Sequence, residues 1–411
     1  MPSLFKNFPR AGSFRSRILM TMISALVLPT ALAMIACGES RAQSPSGVNK
    51  TSPSKSTAKA PADRVVLLML DGVRRREFFQ GVNAARLKKS LAEETIKLAE
   101  LRERTTARGR LYHESVRAPI APGPHAMPFF RAKHMPAGLV YGRPGSGTHV
   151  WLANSVIYSL PAYRSIFSGY SGDCFSNGCG RIDVETFPER IAREFGLGMY
   201  DVAAIASWIK MDFAVTRGGK RIFVNTGTNL FPEFSSAYAA ANDGMLVEPP
   251  PWGQARLDKF TFSHGLNYLK EKQPRFFYLS LNDADEWAHL DLYADYIRII
   301  RQYDAWIDEL IRVIDGLPGR TVLLMTTDHD RGSGRFFKNH GFIIDGAPIW
   351  LYARGPRGAK VDLDLIKTEG RDFFTHLDIR PTVEALLGLK PLTGPLRGKP
   401  LKAVLKLAKG E

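Results

Sequence analysis

Four continuous apolar runs, each of strand length, constrain the fold of this chain more than any other feature. They lie at residues 65–70, 276–281, 322–325 and 349–353. Runs without a polar face are typical of strands that are buried on both sides of a mostly parallel sheet. Residues 148–153 and 202–206 are weaker strand candidates.

Two segments between these runs have the apolar spacing of amphipathic helices. Residues 84–102 are rich in Leu, Ala, Glu and Lys, and residues 292–314 end before Gly316 and Pro318, which stop helices. The alternation of strands and helices predicts an α/β fold, a three-layer α/β/α sandwich around a mostly parallel central sheet. Two stretches without this alternation, near 105–147 and 208–262, are interpreted as loop or cap insertions.

The first 42 residues have the pattern of an export signal. Basic residues precede an apolar stretch at 18–36, and Ala42 ends a small-residue cleavage pattern. Three outcomes fit this pattern: cleavage and release, retention as a membrane anchor, or lipidation of Cys37. We predict export to the periplasm or the extracellular space, with the protein either released or lipid-anchored at Cys37.

The remainder of the chain divides into a linker and a globular domain. Residues 43–62, rich in Ser, Thr, Pro and Lys, predict a disordered linker, and the domain is placed at 63–405. The formal net charge of +16 favours anionic substrates or an anionic membrane surface. No nucleic-acid module is recognised, so specific nucleic-acid recognition is not predicted. Membrane contact is predicted only through the signal or a lipid anchor. The sequence specifies no oligomeric state.

Cys174 and Cys179 flank Asn177-Gly178, a strong turn signal that allows the two sulfur atoms to meet. In an oxidising compartment this spacing predicts a small disulfide loop. The alternatives are two unpaired thiols in a loop, or a zinc site, for which no further cysteine remains.

Seven polar residues follow the predicted strands or turns at spacings that allow them to hold two metal ions. They are Asp71, Ser159, Asp285, His289, Asp328, His329 and His340. Asp71, Asp285 and Asp328 lie just past predicted strands, and α/β sheets bind ligands beyond the carboxyl ends of their strands. Asp285 and His289 are one helical turn apart, which places them on the same face. A lone Asp71 is also typical of a helix N-cap, and Asp283 competes with Asp285.

Ser159 stands two residues before Pro161, which the first turn of a helix tolerates. A serine at a helix N-terminus faces free backbone N–H groups that favour an anion beside it. Alone it is an ordinary N-cap, but next to metal ions it becomes a nucleophile whose alkoxide a cation stabilises. Imidazole and carboxylate ligands fit zinc, with manganese as the alternative.

In their order along the chain these motifs resemble the alkaline phosphatase superfamily, and within it the nucleotide pyrophosphatase/phosphodiesterase branch. The motifs are Asp71-Gly72, the run from Ser159 to Gly169, Asp285 to His289, Asp328-His329 and His340-Gly341. Segments 348–356 and 378–389 are similar to that family's late strand with its Gly-Pro and to its C-terminal helix. The likeness covers residues 64–402.

The resemblance implies a metal-dependent phosphoric ester hydrolase that acts on phosphodiesters or phosphomonoesters, with a small anionic phosphate ester as its partner. It implies one metal ion held by Asp71, Ser159, Asp328 and His329, and a second held by Asp285, His289 and His340. Ser159 is expected to attack phosphorus in line and to form a covalent phospho-serine, while both ions neutralise charge in the transition state.

The chain departs from the family pattern in ways that keep other functions open. Ala162 replaces an Asn that steadies a non-bridging oxygen, Ser159 replaces the more usual Thr, and Asp330 replaces a Gly. Arg164 is predicted to contact the substrate. Sulfatases carry Arg four residues after the nucleophile, whereas Arg164 is five residues after it, so a sulfatase fits less well. A phosphoryl transferase or mutase and a non-catalytic metal-binding surface lipoprotein are further alternatives.

Overall fold

A computed structural model of the chain describes residues 60–104, 120, 123–342 and 344–411. The predicted export signal, most of the predicted linker and part of the first predicted insertion therefore lie outside the described residues. In the part of the chain that the structure describes, every helix is too short or too polar to span a bilayer.

The strands and helices of the described residues alternate for most of the chain, as predicted. The strands are β1 (Arg64–Leu70), β2 (Leu139–Tyr141), β3 (His149–Trp151), β4 (Val202–Ala206), β5 (Phe223–Thr226), β6 (Phe276–Leu281), β7 (Thr321–Thr326), β8 (Pro348–Ile349), β9 (Leu351–Arg354) and β10 (Phe373–Thr375). The helices are α1 (Ala84–Arg104), α2 (Ser159–Ser168), α3 (Phe187–Glu194), α4 (Met211–Val215), α5 (Ser236–Val247), α6 (Asp258–Lys272), α7 (Asp283–His289), α8 (Tyr293–Gly316), α9 (Ile379–Leu386) and α10 (Lys402–Lys409).

The central sheet has seven strands in the order β2-β9-β7-β1-β6-β4-β5. The five strands from β7 to β5 are parallel to one another, and only the pairs made by β9 are antiparallel. Because β1 is aligned with both neighbours, Leu70 facing Leu281 and Met69 facing Thr326, the three strands end side by side. This register brings the segments that follow β1, β6 and β7 to one place on the carboxyl edge of the sheet.

Two hydrophobic cores cover the two faces of this sheet, which makes the fold a three-layer α/β/α sandwich. In β1, Val66 and Leu68 pack into the core that α6 and α8 complete. The alternating residues Val65 and Leu67 pack into the opposite core, with α2, α3, α9 and α10. Every residue of β1 is buried, as its unbroken apolar run predicts. The predicted fold class is confirmed.

The structure differs from the sequence prediction at the late apolar run, 349–353. Trp350 interrupts this run, and its indole N–H donates to the Val73 carbonyl at 2.9 Å. The chain thereby passes from β8, in a small sheet of order β10-β3-β8, to β9 in the central sheet. The weak strand candidate at 148–153 also belongs to the small sheet, as β3.

The two stretches interpreted as insertions each contribute an edge strand to the central sheet. Strand β2 lies within the first stretch and β5 within the second. Both strands have four residues or fewer, and β5 contains Asn225, so neither shows the continuous apolar run of a central strand.

Candidate active site

The ends of β1 and β7 place two buried carboxylates beside each other. Asp71 directly follows β1, Asp328 follows β7 by two residues, and the Gly72 N–H donates to Asp328 Oδ1 at 3.2 Å. Gly72 has φ +65°, and a Cβ atom there would lie 2.4 Å from Asp285 Oδ1. Glycine is therefore required at this turn both for its backbone conformation and for the approach of α7.

Helix α2 begins at Ser159 and points this residue into the site. Ser159 Oγ lies 3.1 Å from His329 Nε2, and both side chains are buried. One turn further along α2, the Tyr163 hydroxyl donates to Asp71 Oδ2 at 2.7 Å. The same helix thus supplies the hydroxyl group of the site and orients one of its carboxylates.

Helix α7 and the segment after β7 supply the other side of the site. His289 Nε2 lies 3.0 Å from Asp285 Oδ2 and 3.1 Å from His340 Nε2. The rings of His329 and His340 stack with centroids 3.9 Å apart. All seven residues predicted as ligands therefore lie around one centre, although they come from five separate segments of the chain.

Two groups of three residues have ligand atoms within 4.8 Å of one another and could hold a metal ion: Asp71, Asp328 and His329 in one, Asp285, His329 and His340 in the other. His329 belongs to both groups. Ser159 lies beside the first group through His329, and His289 lies beside the second through Asp285 and His340.

In each of the three imidazoles, Nδ1 faces a backbone carbonyl and Nε2 faces the centre of the site. Nδ1 lies 3.0 Å from the Asp330 carbonyl in His329, 2.5 Å from that of Ile157 in His340, and 2.9 Å from that of Lys338 in His289. A carbonyl oxygen only accepts, so Nδ1 carries the proton in His329 and His340, and their Nε2 lone pairs face the centre. His289 Nδ1 also lies 3.2 Å from the guanidinium of Arg331, which only donates. Backbone carbonyls that orient imidazoles in this way are typical of metal-binding histidines.

Two carboxylate oxygens at the centre lack the donors that buried charges need. Among the described residues, Asp71 Oδ1 and Asp328 Oδ2 have no hydrogen-bond partner. Burial raises the pKa of Asp71 well above its usual value, with the nearby Asp328 charge adding to the rise, and burial raises the pKa of Asp328 to about 6. Burial lowers the pKa of His329 and of His340, which favours their neutral form. Unpartnered carboxylates beside neutral imidazoles fit divalent cations.

Arg331 is a site residue that the sequence reasoning did not identify. Its buried guanidinium donates to Asp285 Oδ1 and, at 2.9 Å, to the carbonyls of Phe337 and Lys338. Burial lowers the pKa of Arg331 to about 9. Its only sequence signal was its place in a basic, glycine-containing segment, which is equally typical of a solvated loop.

The predicted disulfide between Cys174 and Cys179 is present, with the two Cα atoms 5.7 Å apart. Within this loop, Asn177 Oδ1 accepts the Leu160 N–H at 2.9 Å. Because Asn177 occupies this N–H and Pro161 has none, the start of α2 offers fewer free donors to an anion than the sequence predicts.

Arg164 contacts residues that flank the disulfide loop. Its guanidinium donates to the Gly180 carbonyl at 3.1 Å and lies 3.8 Å from Asp173. These contacts join α2 to the disulfide loop. They give no support to the prediction that Arg164 binds the substrate.

A further buried carboxylate, Asp258, anchors the start of α7. Its Oδ1 accepts from the Ser207 hydroxyl and, at 2.8 Å, from the Asn282 N–H. Its Oδ2 accepts from the Tyr303 hydroxyl and, at 2.7 Å, from the Asp283 N–H. The network fixes the helix that carries Asp285 and His289, and no sequence motif marked Asp258 for this role.

The fold and the site together define a class: a mostly parallel α/β/α sandwich of the kind found in alkaline phosphatase-like sulfatases, with an Asp/His/Ser cluster at the carboxyl edge. Solved structures of alkaline phosphatase superfamily members share this fold. No family model matches the chain, and no curated protein sequence matches it.

Three of these structures illustrate the likeness. A 2-O GAG sulfatase has a TM-score of 0.50 at 13% identity, over 85% of this chain and 75% of the other. An alkaline phosphatase superfamily protein from Vibrio parahaemolyticus has a TM-score of 0.47 at 12% identity, over 83% and 71%. The lipoteichoic acid synthase LtaP from Listeria monocytogenes has a TM-score of 0.47 at 12% identity, over 84% and 76%.

Proposed function

We propose that this protein is an exported, two-metal hydrolase of phosphate esters that acts through a covalent phospho-serine on Ser159. The observation that carries the proposal is the 3.1 Å approach of Ser159 Oγ to His329 Nε2, the nitrogen shared by both groups of candidate ligands. The ordered motifs favour an activity of the nucleotide pyrophosphatase/phosphodiesterase type, on diesters or monoesters. The N-terminal pattern and the disulfide support export.

The residues present fit two divalent ions, and zinc fits their donor types best. Asp71, Ser159, Asp328 and His329 would hold one ion, and Asp285, His289 and His340 the other. When bound, the ions would lower the pKa of the serine hydroxyl and neutralise the phosphoryl oxygens.

The chain itself supplies the nucleophile and its orientation. Ser159 loses its hydroxyl proton to solvent, and its Oγ forms the new bond to phosphorus as the bond to the leaving alcohol breaks and that oxygen takes up a proton. Water then cleaves the phospho-serine bond, which restores Ser159 and releases phosphate from a monoester or a phosphate monoester from a diester. Tyr163 holds Asp71 through Oδ2 and so turns Oδ1 towards the centre. The Asp258 network holds the start of α7 and thereby keeps Asp285 and His289 in place.

The test is to measure initial rates of the zinc-loaded chain on p-nitrophenyl phosphate, bis-p-nitrophenyl phosphate and p-nitrophenyl sulfate. We expect hydrolysis of a phosphate ester that chelation abolishes and that Ser159→Ala lowers at least about a thousandfold, because the nucleophile is lost. Ser168→Ala, at the far end of the same helix, is the control and should retain activity. Serine-dependent turnover of the sulfate alone, or of none of the esters, would overturn the proposal.

A further inference from the structure

A groove of about 640 Å³ opens beside the site, between the first half of α1 and the segment 334–338. Its charged lining is predominantly basic: Arg86, Lys89, Lys97, Arg335 and Lys338, against Glu93 and Asp291. The volume is within the range of ordinary small-molecule sites, about 300–1,000 Å³.

The acidic side chains neutralise only part of this charge. Asp291 binds Arg86 at 2.5 Å and Lys97 at 3.1 Å. Arg335 and Lys338 are exposed, and in the described part of the chain neither has an ionic partner. The groove therefore presents two uncompensated cations on the same short segment.

This segment also forms a wall of the candidate active site. The Lys338 carbonyl accepts from His289 Nδ1 at 2.9 Å, and Asp291 follows His289 by two residues. His289 is the one candidate ligand that is exposed, with a side-chain accessibility of 41%, whereas the other six are buried. The site thus opens on the side where the groove begins.

We propose that the groove binds a second anionic group of the substrate, so that the natural ester carries at least one phosphate or sulfate besides the one that reacts. This proposal rests on the proposed function, because it assumes that the ester reacts at Ser159. Arg335 and Lys338 are the positioning cations. A guanidinium and an ammonium group suit phosphate or sulfate oxygens, and their position beside His289 lets one ligand reach both the groove and the site.

A second basic groove supplies a matched control. It has a volume of about 670 Å³ and includes Lys220 and Arg221, both exposed and without an ionic partner among the described residues. It lies where the chain enters β4 and β5, at the amino edge of the sheet, and so opposite the site. An anion attracted only by net charge should bind both grooves equally.

The experiment measures binding by calorimetry in the full-length chain with Ser159→Ala, which separates binding from turnover. The probes are inositol hexakisphosphate and inositol hexakissulfate, which present the two anions on one scaffold. We expect the double change Arg335→Ala and Lys338→Ala to lower the affinity for the tighter-binding probe at least about tenfold, equivalent to about 1.4 kcal/mol. The control double change, Lys220→Ala and Arg221→Ala, should change this affinity less than twofold.

The tighter probe identifies the anion as phosphate or sulfate. Binding of neither probe, or equal weakening by both pairs of substitutions, would overturn the proposal. Because catalysis is not measured, this failure is distinct from a failure of the proposed function, which the ester assay detects in the unsubstituted chain.

Discussion

Asp258 and Asp71 are both buried at the carboxyl edge of the central sheet, yet their surroundings differ. Each oxygen of Asp258 accepts two hydrogen bonds, from a hydroxyl and a backbone N–H. Asp71 accepts one hydrogen bond, from Tyr163, and neither Asp71 Oδ1 nor Asp328 Oδ2 has a hydrogen-bond partner among the described residues, while His329 Nε2 lies 3.2 Å from Asp328 Oδ2.

The difference separates a carboxylate that supports the fold from carboxylates that are suited to bind a cation. A buried charge without partners is costly, so it persists where a ligand supplies the missing interaction. The three imidazoles turn Nε2 towards Asp71, Asp285 and Asp328, so the imidazoles and these carboxylates indicate one common centre for a cation.

The largest expected effect on stability is that of Asp258→Asn. The new amide group turns an N–H donor towards two existing donors, so the free energy of unfolding should fall by about 3 kcal/mol, with or without metal. Asp71→Asn, measured by urea denaturation in chelator, should change it by less than about 1 kcal/mol, because Tyr163 keeps an acceptor. Equal losses in the two variants would break the contrast.

His264 provides an intermediate effect. It is buried on α6, the helix that begins at Asp258, has no hydrogen-bond partner among the described residues, and stacks on Phe231 at 4.2 Å. Burial, aided by the Arg256 charge, lowers the pKa of His264 to about 3. Below its unfolded pKa of about 6.5, the unfolded chain binds the extra proton, so stability falls as pH falls towards 3.

When the pH falls from 7 to 5, His264 should therefore lower the free energy of unfolding by about 2 kcal/mol. Urea denaturation at the two pH values should show a smaller loss in His264→Phe than in the unsubstituted chain. The exposed His149, changed to Phe, is the control and should leave the loss unchanged. The same pH dependence in all three proteins would contradict the account.

The smallest expected effect concerns the support of α2. Asn177 in the disulfide loop accepts the Leu160 N–H, whereas α7 is held by the full Asp258 network. Asn177→Ala should lower the free energy of unfolding by about 1 kcal/mol, the usual value of one hydrogen bond. Ser176→Ala, in the same loop, removes only the exposed hydrogen bond from the Gly178 N–H to Ser176 Oγ and should change the free energy of unfolding much less. A similar loss in both would mean that Asn177 does not support the helix.

The strand positions could be predicted because a buried parallel strand needs an unbroken apolar run, and β1, β6 and β7 have one. The positions of Asp71, Asp285 and Asp328 then followed from the carboxyl-edge rule. Strands β2 and β5 could not be predicted, because short edge strands need less apolar sequence. The break at Trp350, which separates β8 from β9, has no local sequence signal.

Within the site, residues in recognisable motifs were predicted to meet, and the structure brings them together. Arg331, Asn177 and Asp258 were missed for a common reason. Each acts through contacts with residues distant in sequence, Asp285, Leu160 and Asn282 respectively. Such contacts are set by the packing of the fold, so no spacing along the chain marks them.

The most direct test of the account is the zinc content of the purified chain, measured by mass spectrometry after zinc loading and buffer exchange. We predict two ions in the unsubstituted chain and one in the double variant Asp71→Asn and Asp328→Asn, which removes two of the three members of one candidate group. The variant leaves Asp285, His289 and His340 intact. Asp183→Asn, at an exposed position, is the control and should retain both ions. No zinc in the unsubstituted chain, or two ions in the double variant, would contradict the claim that these buried carboxylates are suited to bind a cation.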